Sequence, residues 1–295
     1  MSNPEKVSVE VDGRKLALSN LDKVLYPAAG FTKAQVIDYY QRIAPVLLPH
    51  IAKRPVTIKR YPDGVDGKFF FQKNAPPHPA WVPTARLPSP GSTKSRETVE
   101  YIVGGDLPTL IWAANLAALE LHTPMWRLAR AVKPDLLVFD LDPGPPATVV
   151  ECCAVALLLR PLLTELGLDP VAKTSGGKGL QVYAAVSGKS SEQTSDLARE
   201  LAERLEQDEP ELVVSRMTRA LRPRKVLIDW SQNNAAKTTV APYSLRAREQ
   251  PTVSTPVTWD EVESCKRASD LVFTADDVLR RVADAGDLFA PALNG

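Results

Sequence analysis

Cysteine is scarce in this chain, with three among 295 residues and two of them adjacent, Cys152 and Cys153. That excludes a disulfide framework and a set of zinc-binding thiolates, and makes a reducing cytoplasm the expected compartment. Histidine is equally rare, at three residues. No apolar run is long enough to cross a bilayer; the longest, Cys152 to Leu163, is broken by Arg160 and Pro161. The start, Met1 to Val11, is charged and lacks an apolar core, so no secretory leader is expected. Internal repeats and low-complexity tracts are absent. Excess charge is also missing: the net is +1, which by itself gives no sign of a nucleic-acid partner. What is present, 44% apolar and 24% charged residues, is the composition of a globular protein with a full core.

The small net charge conceals an uneven distribution. Arg14 to Arg60 carries nine bases against Asp22 and Asp38, and Arg216 to Arg248 carries eight against Asp229 alone. Acids dominate elsewhere, eight to two bases in Glu192–Glu211 and nine to four in Glu249–Gly295. Such blocks predict a molecule with basic and acidic faces.

Helix starts are written in capping boxes at Thr32–Gln35, Thr148–Glu151 and Ser190–Gln193. The first precedes Val36, Tyr39, Tyr40, Ile43 and Leu47 at helical spacing; the second helix should stop at Gly167, with a kink at Pro161. The third places Leu197, Leu201 and Leu205 on one face and must end before Pro210. Thr109 is expected to cap an apolar helix reaching His122, and a last helix should cover Ala275 to Ala285. Strands are predicted at Val56–Arg60, Lys68–Phe71, Val99–Val103, Leu136–Leu141, Leu180–Ala185 and Lys225–Trp230. Prolines cluster between elements, as in Ala75–Pro90, where long surface loops are expected. The pattern is that of an α/β or α+β core with an acidic C-terminal wrap.

The most informative segment is Leu136-Leu137-Val138-Phe139-Asp140-Leu141-Asp142-Pro143-Gly144. Strand side chains alternate, so Asp140 and Asp142 share one face at the end of an apolar strand. Asp229 interrupts a second apolar strand, where a lone carboxylate is costly unless paired or bound to metal. If the two strands are neighbours, three carboxylates converge, as two-metal phosphoryl or nucleotidyl transfer requires, and all-oxygen ligands suit Mg²⁺ or Mn²⁺. The plainer alternative is a solvated strand end with Asp229 paired to a base.

Thr174-Ser175-Gly176-Gly177-Lys178-Gly179 allows close backbone approach to a ligand beside a cation, although it lacks P-loop spacing. A glycine-rich hairpin with a surface lysine is the alternative. His122, Lys59, Arg60 and Arg246 are further candidates for phosphate oxygens. Phe69-Phe70-Phe71 could form a stacking face, or a core strand in which at least one ring is buried.

Five segments together resemble the polymerase domain of the bacterial DNA-repair ligase LigD, within the archaeo-eukaryotic primase superfamily. They are Leu18–Pro27, Val138–Gly144, Thr174–Leu180, Val226–Asn233 and Lys237–Arg246, in family order along nearly the whole chain. The resemblance implies an α+β primase-polymerase fold, with an RRM-like catalytic sheet packed against an N-terminal α/β module. It implies one unit over 1–295, with the module at about 1–105, the catalytic core at about 106–250 and the acidic wrap at about 251–295. The implied activity is addition of ribo- or deoxynucleotides to a primer 3′-hydroxyl at 5′-phosphorylated gaps or broken DNA ends, with Mn²⁺ or Mg²⁺.

By match to the motifs, Asp140, Asp142 and Asp229 hold the metals. Lys59, His122, Ser175, Lys178 and Arg246 hold the triphosphate. Asn20, Lys23 and Lys33 match a 5′-phosphate pocket, Phe70 and Phe71 match stacking aromatics, and Arg222 lies in a loop near the primer end. The implied partners are DNA, NTP or dNTP, a ligase and an end-binding protein, at the nucleoid. Ser175-Gly176-Gly177-Lys178 departs from the usual Ser-Gly-Ser-Lys, and 83–97 does not match. Gap filling in excision repair and priming remain open as roles. A non-catalytic end-binding module would not need the three acids, and a nuclease would not need the triphosphate set.

Overall fold

The computed structural model describes residues 6–88 and 97–294. In chain order the strands are β1 (Lys6–Val11), β2 (Arg14–Ser19), β3 (Val24–Tyr26), β4 (Phe31–Thr32), β5 (Pro55–Arg60), β6 (Phe70–Gln72), β7 (Thr84–Pro88) and β8 (Thr98–Val103). They continue as β9 (Ala118–Thr123), β10 (Leu136–Pro143), β11 (Pro170–Thr174), β12 (Leu180–Ala185), β13 (Val213–Val214), β14 (Val226–Asp229), β15 (Thr239–Val240) and β16 (Pro256–Val257). The helices are α1 (Lys33–Ile51), α2 (Leu107–Asn115), α3 (Val149–Glu165), α4 (Ser191–Asp208), α5 (Trp259–Ser264) and α6 (Ala275–Ala285).

Two sheets dominate. One runs in the order β13-β14-β10-β12-β11-β16; the other runs β15-β9-β5-β8-β7, with β6 also paired to β5. The second sheet joins strands from both sides of residue 105, and β16 of the C-terminal segment belongs to the first. The parts expected as module, core and wrap therefore share sheets. The α5–α6 region closes against α1, where His50 meets Asp287 at 2.8 Å.

Each sheet has its own core. Leu137, Phe139 and Leu141 of β10 pack with α3 and α4, whereas Leu136 and Val138 join a core containing Ile58, Leu121 and α1. Asp140 and Asp142 continue the Leu136–Val138 face. They therefore point toward the second sheet rather than toward α3.

All three capping boxes form as expected, at Thr32, Thr148 and Ser190. The expectation at Thr109 is corrected. Asp106 is the cap, accepting from Thr109 N at 2.9 Å, and the helix ends at Asn115. Ala117 takes a positive φ of 57°, which turns the chain so that Ala118–Thr123 enters the second sheet. His122 therefore sits on a strand. Part of the proline-rich stretch is also strand, since Thr84–Pro88 pairs with β8. Residues 89–96 of the divergent loop lie outside the described residues. No ring of Phe69-Phe70-Phe71 is core, because all three are exposed, at 55%, 53% and 47%.

α1 is bolted to the segment that ends in Arg246. Tyr39 Oη donates to the Tyr243 carbonyl at 2.8 Å and Tyr40 Oη to the Leu119 carbonyl at 2.7 Å. Tyr26 Oη, just before the helix, donates to the Arg246 carbonyl at 3.0 Å.

Candidate active site

Antiparallel pairing of β10 with β14 sets Asp140 directly opposite Asp229, and Asp142 is two residues farther along the same face. The acids lie close enough to disturb one another. Asp140 is pushed up to about 7 by burial and then by Asp142 and Asp229, while a hydrogen bond from Gln181 opposes the rise. Asp142 is raised by burial and by Asp229, with Arg222 opposing. Asp140 Oδ1 accepts from Gln181 Nε2 at 2.9 Å. Asp229 accepts from Ser231 N at 3.1 Å, from the Ser231 hydroxyl, and from Gln232 Nε2 at 2.8 Å.

As they stand, no three acid, histidine or cysteine side chains among the described residues are grouped tightly enough to enclose an ion. The donor set nevertheless fits one. Three oxygen ligands on adjacent strands repel each other, and a divalent cation is what relieves that repulsion.

The strand end is fixed by close packing. A Cβ on Gly144 would lie 1.9 Å from the Arg222 carbonyl oxygen, so only glycine lets the two chains cross. Arg222 itself donates to the Met217 carbonyl at 2.6 Å. Across the sheet, Leu141 pairs with Leu180, which brings the β11–β12 turn beside Asp142. In that turn the Ser175 hydroxyl accepts from Gly177 N at 3.2 Å and Gly179 N at 3.1 Å. Gly176 has φ +65°, and a Cβ there would meet Arg246 Cγ at 2.5 Å. Arg246 Nη1 donates to the Ser175 carbonyl at 2.7 Å. Lys178 is exposed at the tip.

A residue absent from the sequence reading ties the phosphate candidates together. Glu120, 2% exposed on β9, receives His122 Nε2 at 2.9 Å and Ala247 N at 3.1 Å. It also lies 3.4 Å from Arg246 Nε and 3.8 Å from Lys59 Nζ. Burial alone would raise its pKa, but the His122 bond and the charges of Arg246, His122 and Lys59 outweigh it and hold Glu120 at about 2. Burial lowers His122 below its usual range, and its bond to Glu120 opposes that shift. Burial likewise lowers Lys59, whose ammonium stands 4.3 Å from the Phe69 ring centre. Among the described residues the buried Nε atoms of Arg222 and Arg246 make no hydrogen bond, although Arg246 Nε faces the Glu120 carboxylate at 3.4 Å.

Glu120 was hidden because it looked like one position in an apolar helix; the only sequence signal was an acid among buried neighbours. Glu120→Gln should cost about 3 kcal/mol at neutral pH, since 4.5 is its ordinary value and about 2 its folded one. A depressed carboxylate stabilises above its unfolded pKa. The wild-type advantage should therefore fade as pH falls from 4.5 toward 2. Urea unfolding of both proteins at pH 7 and at pH 3 measures it; a gap unchanged between the two pH values would contradict the assignment.

Of the predicted 5′-phosphate residues, Asn20 and Lys23 line a concavity of about 620 Å³, with Val7, Leu21 and Asp22. Lys23 Nζ is paired with Asp63 at 2.9 Å. Lys33 is buried beneath it, donating to the Ser19 carbonyl at 2.6 Å. Phe71 packs edge-on against His122, 5.5 Å between ring centres. Phe70 lies beside it on β6.

Facing carboxylates on an antiparallel sheet, beside a glycine turn and a cluster of cations, form an arrangement suited to metal-assisted phosphoryl or nucleotidyl transfer. The family model of the LigD primase-polymerase domain matches residues 32–289. The Mycolicibacterium smegmatis multifunctional non-homologous end joining protein LigD is 46% identical over 281 residues, covering 94% of this chain and 36% of that protein. The Bacillus subtilis bifunctional LigD is 34% identical over 276 residues, covering 92% of this chain and 43% of that protein. Among solved structures, the polymerase domain of Mycobacterium tuberculosis Ligase D in complex with DNA superposes with a TM-score of 0.87 at 42% identity. That match covers 94% of this chain and 98% of the other. The chain belongs to the LigD primase-polymerase family and has its α+β fold. It spans well under half the length of these full-length relatives.

Proposed function

We propose that the chain adds nucleotides to a primer 3′-hydroxyl at gaps or broken ends of DNA. The observation that carries this reading is the pairing of Asp140 with Asp229, with Asp142 beside them and the Ser175–Lys178 turn adjacent. Asp140, Asp142 and Asp229 would hold Mn²⁺ or Mg²⁺ in a two-metal site, which supplies charge neutralisation at the attacking and leaving oxygens. Arg246, Lys59, His122 and Lys178 would bind the β- and γ-phosphates, with Ser175 shaping the turn. Glu120 holds three of these groups in place before the nucleotide arrives, so catalysis rests on positioning and electrostatics. Phe70 and Phe71 offer exposed faces for bases, and Arg222 offers a cation near Asp142. DNA is the partner, with a ligase and an end-binding protein acting on the same ends at the nucleoid. No helix among the described residues is long and apolar enough to cross a membrane.

The test is incorporation on gaps of varied length with Mn²⁺ or Mg²⁺, comparing ribo- with deoxynucleotides. Failure to extend any primer would overturn the reading.

Asn20, Lys23 and Lys33 would receive the 5′-phosphate across the gap, displacing Asp63 from Lys23. Burial and then Lys23 and Arg60 push Lys33 down to about 8. Lys33 is a cation below that value and neutral above it, whereas the phosphate stays dianionic. The preference for 5′-phosphorylated over unphosphorylated gaps should therefore shrink as pH rises through 8. Binding titrations of both substrates at pH 7 and pH 9.5, at one salt concentration, check it. An equal preference at both pH values would count against Lys33.

A further inference from the structure

At the opposite end of α1 and of β10 lies a second basic concavity, of about 580 Å³. Its walls carry Lys53, Arg127, Arg130 and Lys133, and its one carboxylate is Asp135. That carboxylate is already committed. Arg54 binds it twice at 2.7 Å, and Arg127 Nε reaches it at 2.8 Å. Arg127 also donates to the Ala52 carbonyl at 3.0 Å, and Leu128 N donates to the Lys53 carbonyl at 2.8 Å. The frame is thus fixed from below, while positive charge remains uncompensated above it. Of the four lining cations only Arg127 has an ion-pair partner among the described residues. Lys53, Arg130 and Lys133 are exposed.

The site is separate from both places described above. Asp135 and Asp142 stand seven residues apart on one extended segment, roughly 20 Å. Lys53 is one helix length from Lys33, roughly 28 Å. On B-DNA, where phosphates repeat every ~3.4 Å along a strand, the first separation equals about six base pairs.

We propose that this concavity is a second phosphate-binding site, which holds the backbone of a duplex arm outside the active site. This rests on the reading that the chain works on DNA. Two arginines and two lysines around one concavity suit phosphate oxygens, by guanidinium fork and by point charge. With no group placed to read a base, the contact is indifferent to sequence.

The experiment compares wild type with the triple variant Lys53→Gln, Arg130→Gln, Lys133→Gln. Each binds 5′-phosphorylated gapped DNA whose hairpin-closed arms are either four or twenty base pairs, over a range of salt. On long arms the variant should bind at least tenfold more weakly at low salt, and its slope of log affinity against log salt should fall by about 2 to 3. On short arms it should match wild type in both affinity and primer extension. A companion variant that keeps the charges, Lys53→Arg with Arg130→Lys, should retain the long-arm slope. An unchanged slope on long arms overturns the proposal, as does an equal loss on both substrates. So does protection of Lys53 and Lys133 from acylation by inorganic phosphate but not by long-armed DNA. Because the readout is binding, a wild-type protein that extends no primer sinks the polymerase reading and leaves this test intact.

Discussion

Replacing Asp140 and Asp142 together with alanine is expected to abolish nucleotide addition, a loss of at least about 10³-fold of the kind that follows removal of electrostatic stabilisation from a transition state. Stability should move the other way. Burial and the adjacent acids raise both carboxyls, so the ionised forms oppose folding in the metal-free protein. A raised carboxyl costs stability once pH exceeds its unfolded value, and Asp140 pays in full above about 7. The single variant Asp140→Asn should therefore melt at or above the wild-type temperature at pH 8 without metal. Adding Mn²⁺ should raise the wild-type melting temperature and leave that of Asp140→Asn nearly unchanged, because a ligand stabilises only the state that binds it. Substantial residual synthesis by the double variant, or an equal Mn²⁺ shift in both proteins, would remove these residues from the metal site.

The second large effect lies at the other end of the same strand. Asp135→Ala is expected to cost about 3–5 kcal/mol, the range for leaving a buried charge without its partner. Arg54 is 1% exposed and spends two nitrogens on Asp135, with Nε on the His50 carbonyl at 3.0 Å. Alanine leaves that guanidinium buried, with Arg127 close by and both lacking their anion. With a urea m-value of roughly 3 kcal/mol per molar, the midpoint should drop by roughly 1 to 1.7 M. Catalysis at low temperature should suffer little, since Asp135 lies far from Asp140. A midpoint within 0.3 M of wild type would show that the pair adds nothing over its solvated parts.

The elements legible in the sequence are those whose signals are local. Thr32, Thr148 and Ser190 each carry their partner three residues on, and all three boxes form. The Asp140–Asp142 alternation needs only the period of a strand. The run from Thr109 to His122 departs from the expected single helix because apolar periodicity cannot separate a buried helix from a helix followed by a buried strand. The decision was made at Ala117, by a backbone angle. Glu120 and the Arg54–Asp135 pair were out of reach for another reason. Their partners lie 2 to 127 and 81 residues away, and only the packed sheets bring them together. The exposed phenylalanines depart from the expectation because Phe70 and Phe71 lie on β6, a three-residue strand off the main path of its sheet and paired to β5.

The bolting of α1 has a metric consequence. The helix starts at Lys33, near the concavity proposed for the 5′-phosphate, and Tyr26, Tyr39 and Tyr40 fasten it to Leu119, Tyr243 and Arg246. The two places proposed for the phosphates of DNA and nucleotide are thus tied to one helix. Their spacing is a caliper setting, built into the tyrosine contacts. On the proposed function, a gap that matches the setting would be filled without deforming protein or DNA, and a longer one would have to be gathered in before its ends could touch both jaws.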